Sequence, residues 1–539
     1  MWRTRTLGFA ATVLVVLVGG CTAVPHYGSP SPRTYYLSAR GDDSADGTSK
    51  DEAWRSLGRA SQVTLRPGDH LLLEGGSRFA GTITVGNDEA GDADRPVVID
   101  SYGNGRATVV ATNSAGVSVH NTAGVEVHDL ILRGRGSART SQAGVNLYND
   151  TPTDARHAGV NVSDIDAAGF QVGIGVGSTI TGTGFADVTI RRARVHGNKD
   201  TGLLTYGPQF DDGRPSYAHE HITIEDVQSY GNPGDPNALY RPTGNGIVLG
   251  AVRDATVRDS SAHDNGTQAP AEAQYGPAGI WTYDSRDVLI EHSAAYRNHT
   301  GSRMDGAGFG FDTSVFDSTL QYNLSFENDG SGFYIFSRWP HPHSGNTVRY
   351  NISSNDARKM PEHGGLTIHG SRIKDLQVYQ NTVIMGRSSE GEGAAVRVRP
   401  GNSSVSVRNN LIATDGDPLV VSDTDLSTSQ VVFQGNQFHT ADGQWTVAWG
   451  DRRYFNLRSW REDTGQERLD GRPTGTAASP CFDEGSLPDI QSPAEARRVI
   501  PGCPHAGLDL QKHFGVVPVK VDYFGHVVTA PPNTGAAQP

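Results

Sequence analysis

Gly279-Ile-Trp-Thr-Tyr283, Gly308-Phe-Gly-Phe-Asp312 and Gly332-Phe-Tyr-Ile-Phe336 share one grammar: glycine, apolar, any residue, apolar, any residue. The same grammar starts at Gly144, Gly173, Gly202, Gly246, Gly365 and Ala395, with successive starts 24 to 44 residues apart. A period of two within each segment predicts a strand. Recurrence at so uneven an interval excludes a helical-hairpin array and fits a coil whose corners accept loops. A second strand is expected after each first, as in Val288-Leu-Ile-Glu and Thr347-Val-Arg-Tyr, followed by an asparagine at positions 198, 232, 265, 298, 328 and 355. Stacked amides in such a column can hydrogen-bond from coil to coil and ease a tight corner. The expected fold class is all-β, a parallel solenoid in which each rung is stabilised by its neighbours.

Composition agrees. The 539 residues include 66 Gly but only 36% hydrophobic residues and 4 Met, which suits a narrow core shared among many turns. The formal charge of -13 argues against nucleic acid as a partner, since phosphate backbones would repel it.

Tyr35-Tyr-Leu-Ser, Gly41-Asp-Asp, Ala53-Trp-Arg-Ser-Leu57, Leu65-Arg-Pro-Gly-Asp69 and Gly76-Ser-Arg-Phe79 resemble the N-terminal cap and first coil of right-handed parallel β-helix proteins of the pectate-lyase-like superfamily. Asp522-Tyr-Phe-Gly525 resembles the closing segment of its secreted members. The resemblance implies a right-handed parallel β-helix over residues 34–440 with an N-terminal cap, and a C-terminal capping segment over 441–539. That superfamily holds lyases, hydrolases, epimerases and non-catalytic adhesins, so the reaction stays open.

The first residues read as an address. Arg3 and Arg5 precede an uncharged run, Leu7 to Val18, too short for a permanent bilayer span. Val18-Gly19-Gly20-Cys21 resembles a bacterial lipobox. Residues 1–20 are therefore expected to be a lipoprotein signal peptide, Cys21 the lipidated residue, and 21–33 a tether to the membrane at the extracellular face. Cys481 and Cys503, an even pair in an exported chain, are expected to form a disulfide.

If the first and third residues after each glycine point inward, the second and fourth face out. The outward columns then contain Tyr206, Trp281, Tyr283, Asp312, Tyr334, Phe336, His369, Arg397 and Arg399. Nine rungs make a strip about 38 Å long. Flat rings with polar edges suit pyranose faces, so the strip is expected to bind a polysaccharide, with Arg338 and Trp339 in a loop able to close over it. Loops folded over these rings into a small satellite core are the plainer alternative.

Two reactions use the same residues. A glycosidase needs two flanking carboxylates, for which Asp312, Asp305 and Asp284 are candidates. A uronate lyase needs a cation and a base: Asp305, Asp312 and Asp329 could hold calcium, while Lys359, His369, Arg397 or Arg399 supplies base and anchor. A hydrolase needs no cofactor. His341-Pro-His343 lacks further ligands for zinc. The expectation is a monomeric, lipid-anchored glycan-cleaving β-helix, with a non-catalytic glycan-binding or envelope-structural protein as the alternative.

Overall fold

The computed structural model describes residues 31–538, apart from 88, 93, 112–113, 137–141, 154, 389–392, 481, 483–485 and 500–504. Cys21, Cys481, Cys503 and the expected signal peptide lie outside the described residues, and so does most of the tether.

Two long sheets wind around one core. The Gly-led segments form a 14-stranded sheet that starts at Ile83–Val85 and ends at Arg452–Tyr454. Its strands pair in parallel up to the last, which turns back antiparallel on Val447–Trp449. The remaining strands of each coil form a 28-stranded sheet. One coil holds Ala278–Tyr283, Ser285–Glu291 and Ala294–Tyr296, the next Ala307–Phe311, Thr319–Gln321 and Leu324–Phe326. The inward alternation is as expected: Ile280, Phe309, Phe311, Ile335 and Ile368 are fully buried in one continuous apolar core.

The asparagine column exists. Asn198, Asn232, Asn265, Asn298 and Asn328 each accept, or pass on, a hydrogen bond from the coil before, ending at Asp356. Asn355 does not belong to it. Asn355 turns the corner at φ 52 and accepts from the Gly386 N–H, while the Asp356 carboxyl takes the column position because it accepts from the Asn328 amide and backbone N–H. A second column, absent from the sequence reading, runs Asn323, Asn351, Asn381, Asn410, Asn436 to Glu467.

Such columns satisfy backbone N–H groups that the solenoid's corners bury. Asn265 shows the cost of losing one. Its side chain accepts from the backbone and amide of Asn232 and donates to Ser229 O and to Asn298. Asn265→Ala is expected to lower stability by about 2 kcal/mol through unpaired buried groups, read as a lower denaturant midpoint. Asn355→Ala, outside the column, should shift it less.

The boundaries differ from the expected 440/441 division. Parallel coils continue to Val447–Trp449, so the solenoid outlasts residue 440. Only the next segment caps it: the helix Leu457–Thr464 seats a fully buried Trp460 against Phe433, Phe438, Trp445 and Trp449. The tail after residue 505 instead runs back along the flank. Asn409 donates to Leu508 O, Tyr322 to Val521 O, and Ala536 N–H to Thr382 Oγ1. Apolar rings Tyr322, Tyr350 and Tyr379 on that flank require a cover, which the tail provides.

Candidate active site

The outward columns stack in register. Asn146 pairs with Gly175, Gly175 with Leu204, Leu204 with Val248, Val248 with Trp281, Trp281 with Gly310, Gly310 with Tyr334, Tyr334 with Thr367 and Thr367 with Arg397. The strip is not open along its length. Extra residues between coils fold over its centre, so Val248, Trp281 and Tyr334 form a buried satellite cluster with Leu204, Tyr283 and Phe336 at its edge. The expectation of an open aromatic strip is corrected here: loops cover the central rings as a satellite core, and a cleft remains beneath the cover.

That cleft has a volume of about 420 Å³. Gly310 is its floor, because the strand Ala307–Phe311 turns Phe309 and Phe311 into the core and leaves no outward side chain between Trp281 and Tyr334. Trp281, Tyr283 and Tyr334 make its walls. The Trp281 indole N–H donates to Asn245 Oδ1. Tyr275 and the Arg241-Pro242 loop close it from above, and Arg338 reaches across to donate to the Tyr275 hydroxyl at 3.0 Å. Arg338 is thereby held beside the cleft through Tyr275. Trp339 stays exposed beneath Arg372.

Asp305 and Asp312 both line the cleft, one at each end of the same short strand. Asp305 occupies a left-handed turn at φ 57 and accepts the Gly276 N–H at 2.8 Å. Burial and the neighbouring Asp312 push its carboxyl up to about 7. Asp312 follows the strand and accepts the Thr313 N–H at 2.6 Å. Burial raises it to about 6, while Thr313 N–H, Arg338 and His341 favour its charged form. Both carboxyls are thereby raised toward neutrality, Asp312 held back by Thr313 N–H, Arg338 and His341, a pairing suited to acid–base chemistry.

A third carboxyl stands behind them. Asp284 is raised to about 7 by burial and by the charges of Asp212 and Asp312. Asp212 arrives on a loop between coils, accepts from Ser314 Oγ at 2.7 Å and pairs with His341 Nδ1 at 2.8 Å. At the opposite end of the cleft Asp200 is bound by Arg241 and by Gln171.

Other candidates sit elsewhere. His369 is on the strip, but its Nδ1 is hydrogen-bonded at 2.7 Å to the Tyr334 hydroxyl, and burial and Arg399 lower it to about 4. It lies behind the Tyr334 wall, not in the cleft. Arg397 and Arg399 are engaged with Asp423, and Arg399 also with Glu362. The Lys359 ammonium is spent on the Thr300 carbonyl. Asp329 is turned away from Asp305 and Asp312 to accept from Thr300 N–H and pair with His299, so the calcium trio is not assembled. Among the described residues no group of three or more His, Cys, Asp or Glu is placed to hold a metal. Tyr206 is folded down over Gly177 of the preceding rung, outside the cleft, whereas Tyr283 covers Gly250 and still walls the cleft. Asp200, Asp212, Arg241 and Tyr275 escaped the sequence reading because they come from inter-coil loops with no periodic mark.

The family model described as right handed beta helix region matches residues 99–412. The chain belongs to this family. As a right-handed β-helix it meets the expectation raised by its cap and coil residues. Over 480 residues this β-helix protein is 26% identical to a lacto-N-biosidase of Bifidobacterium longum subsp. longum, covering 71% of this chain and 29% of that protein. It therefore spans less than a third of that relative's length. Among solved structures it is similar to the GH136 lacto-N-biosidase from Eubacterium ramulus, with TM-score 0.53 and 17% identity over 76% of this chain and 68% of that one. The complex of XylC with xylose gives TM-score 0.51 and 11% identity, covering 94% and 98%. At these identities the structural likeness is one of fold.

Proposed function

We propose that this β-helix protein is a glycoside hydrolase that cleaves a glycan seated in the Trp281–Gly310–Tyr334 cleft. The observation that carries the reading is the pair Asp305 and Asp312, two buried carboxyls lining one aromatic-walled cleft, both raised toward neutrality. The name borne by the sequence relative, lacto-N-biosidase, supports the same chemistry.

In this mechanism Asp305, protonated near neutral pH, donates its proton to the glycosidic oxygen as the bond to the anomeric carbon breaks. Asp312, ionised under the field of Arg338 and His341, stabilises or attacks the anomeric carbon or directs a water to it. If Asp312 attacks, Asp305 regains its proton from the water that then displaces Asp312 from the anomeric carbon. If Asp312 directs a water, Asp312 takes that water's proton and the two carboxyls exchange protons with solvent afterwards. Trp281 and Tyr334 hold the sugar faces, and Gly310 lets a ring lie close to the sheet. Of the residues a lyase would need as base and anchor, Lys359, Arg397 and Arg399 are engaged outside the cleft, and Arg241, which lines it, is paired with Asp200. The Arg3, Arg5 and Cys21 pattern supports an exported, lipid-anchored setting for this activity.

Incubation with neutral glycans and polyuronates tests the reading. New reducing ends without ultraviolet absorbance from an unsaturated product are expected. Reducing ends accompanied by that absorbance would make the protein a lyase, and retained binding without cleavage would make it a binding protein.

A further inference from the structure

The same sheet continues beyond the roofed cleft. On its N-terminal side a separate groove of about 310 Å³ is lined by Asn146, Tyr148, Gly175, Leu204, Tyr206 and Gln171, among others. Leu204 borders both spaces, and Gln171 donates to Asp200 at 2.7 Å on the boundary between them. The groove owes its shape to two missing side chains. Gly175 lies between Asn146 and Leu204 in the nearer column, and Gly177 between Tyr148 and Tyr206 in the farther one. The Tyr206 ring fills the space above Gly177, because a Cβ built there would fall 2.1 Å from its Cζ. Gly175 is less tightly covered: a Cβ there would sit in ordinary contact with Ala143, Asn146 and Val172 at 3.5 to 3.9 Å. A notch one rung wide is left, bounded by two tyrosines.

The chemistry of its lining is specific. Tyr148 is stacked on His120 at 5.7 Å and its hydroxyl is tied to Thr179 Oγ1, so it is held in place before any ligand arrives. The Asn146 side chain is half-buried at the rim of the notch, an amide that can both donate and accept. Among the described residues, no Asp, Glu, Lys, Arg or His lines the groove. Rings with hydroxyl edges and amides suit a neutral pyranose.

We propose that the Gly175 notch is a second, non-catalytic binding site for one pyranose ring of a neutral glycan. It lies four rungs from the Gly310 floor, about 19 Å along the sheet at the usual strand spacing. That places it on the line a glycan follows when it leaves the cleft along the column. The inference takes from the proposed hydrolase reading only the nature of the ligand; binding at the notch stands apart from cleavage.

The test is saturation-transfer NMR with methyl β-pyranosides of galactose, N-acetylglucosamine and xylose on the full chain. Four proteins are compared: wild type, Gly310→Leu to fill the cleft, Gly175→Leu to fill the notch, and the double variant, with circular dichroism confirming the fold of each. Gly310→Leu is expected to keep transfer to at least one sugar, and the double variant to lose it at least fivefold. Tyr206→Ala in the Gly310→Leu background, which does not depend on tolerance of a side chain at 175, should weaken the same signal. Complete loss in Gly310→Leu alone, or equal signal in Gly310→Leu and the double variant, overturns the proposal, as does a wild type that binds none of the sugars. None of these readouts involves turnover, so a protein that binds sugar at the notch yet cleaves nothing would sink the hydrolase reading and leave this one intact.

Discussion

Asp312→Asn will lower kcat/KM on the cleaved glycan at least about 10³-fold, because an amide can neither ionise beside the anomeric carbon nor direct a water to it. The variant keeps the shape of the side chain and can still accept the Thr313 N–H, so binding should survive. Asp305→Asn is expected to lose about 10² to 10⁴-fold on natural glycans and far less on aryl glycosides, whose leaving groups depart without a proton. Undiminished activity in either variant would remove that residue from the site. The same pair sets the pH profile. Activity should fall below about pH 6 as Asp312 takes up a proton and above about pH 7 as Asp305 loses one.

Stability follows the opposite logic at the third carboxyl. Asp284 titrates near 7 in the folded protein, well above the unfolded value near 4. A raised carboxyl contributes its stability in the protonated form, so the contribution is full below the unfolded value and is lost as pH rises through about 7. Asp284→Asn should therefore melt higher than wild type above neutral pH and show no such gain near pH 4. The reverse order would show that the Asp284 charge is compensated in the fold.

Trp460→Ala will cost about 3 to 5 kcal/mol, the range for truncating a large buried ring. Trp460 is fully buried and its ring meets Phe433, Phe438, Trp445 and Trp449 edge-on or tilted, at centroid distances from 5.5 to 6.4 Å. A solenoid has no next coil at its end, so these four rings would face water without the helix Leu457–Thr464. The loss should be local first. Hydrogen exchange is expected to accelerate across residues 431–449 before the Asn198–Asn328 coils, and the denaturant midpoint to drop. A cost under about 1 kcal/mol would show that the cap does not hold the last coils.

How far the residues themselves revealed this molecule varies by feature. The outward placement of Trp281, Tyr283, Asp312 and Tyr334 was readable, because a period of two assigns faces without knowledge of anything else. The first asparagine column was readable through Asn328 and missed by one position at its end, since Asn355 and Asp356 differ only in which of them turns the corner. The second column, Asn323 to Asn436, also recurs at near-coil spacing and went unread beside the first.

Loops were the limit. Asp200, Asp212, Arg241 and Tyr275 lie far in sequence from Asp305 and Asp312, and inter-coil segments carry no period that says which way they fold. Lys359, Arg397, Arg399 and Asp329 show the converse: residue type and rung allowed them a role, and their partners His299, Thr300, Glu362 and Asp423 took them out of the cleft. Local alternation and coil-length recurrence alone were enough to determine a parallel solenoid and which face carries Trp281, Tyr283, Asp312 and Tyr334, because each rung depends only on its immediate neighbours. Which part of that face is roofed, and which two carboxyls share the space beneath, was decided by tertiary structure, because burial and mutual repulsion arise only when loops separated by many coils close over the same rung.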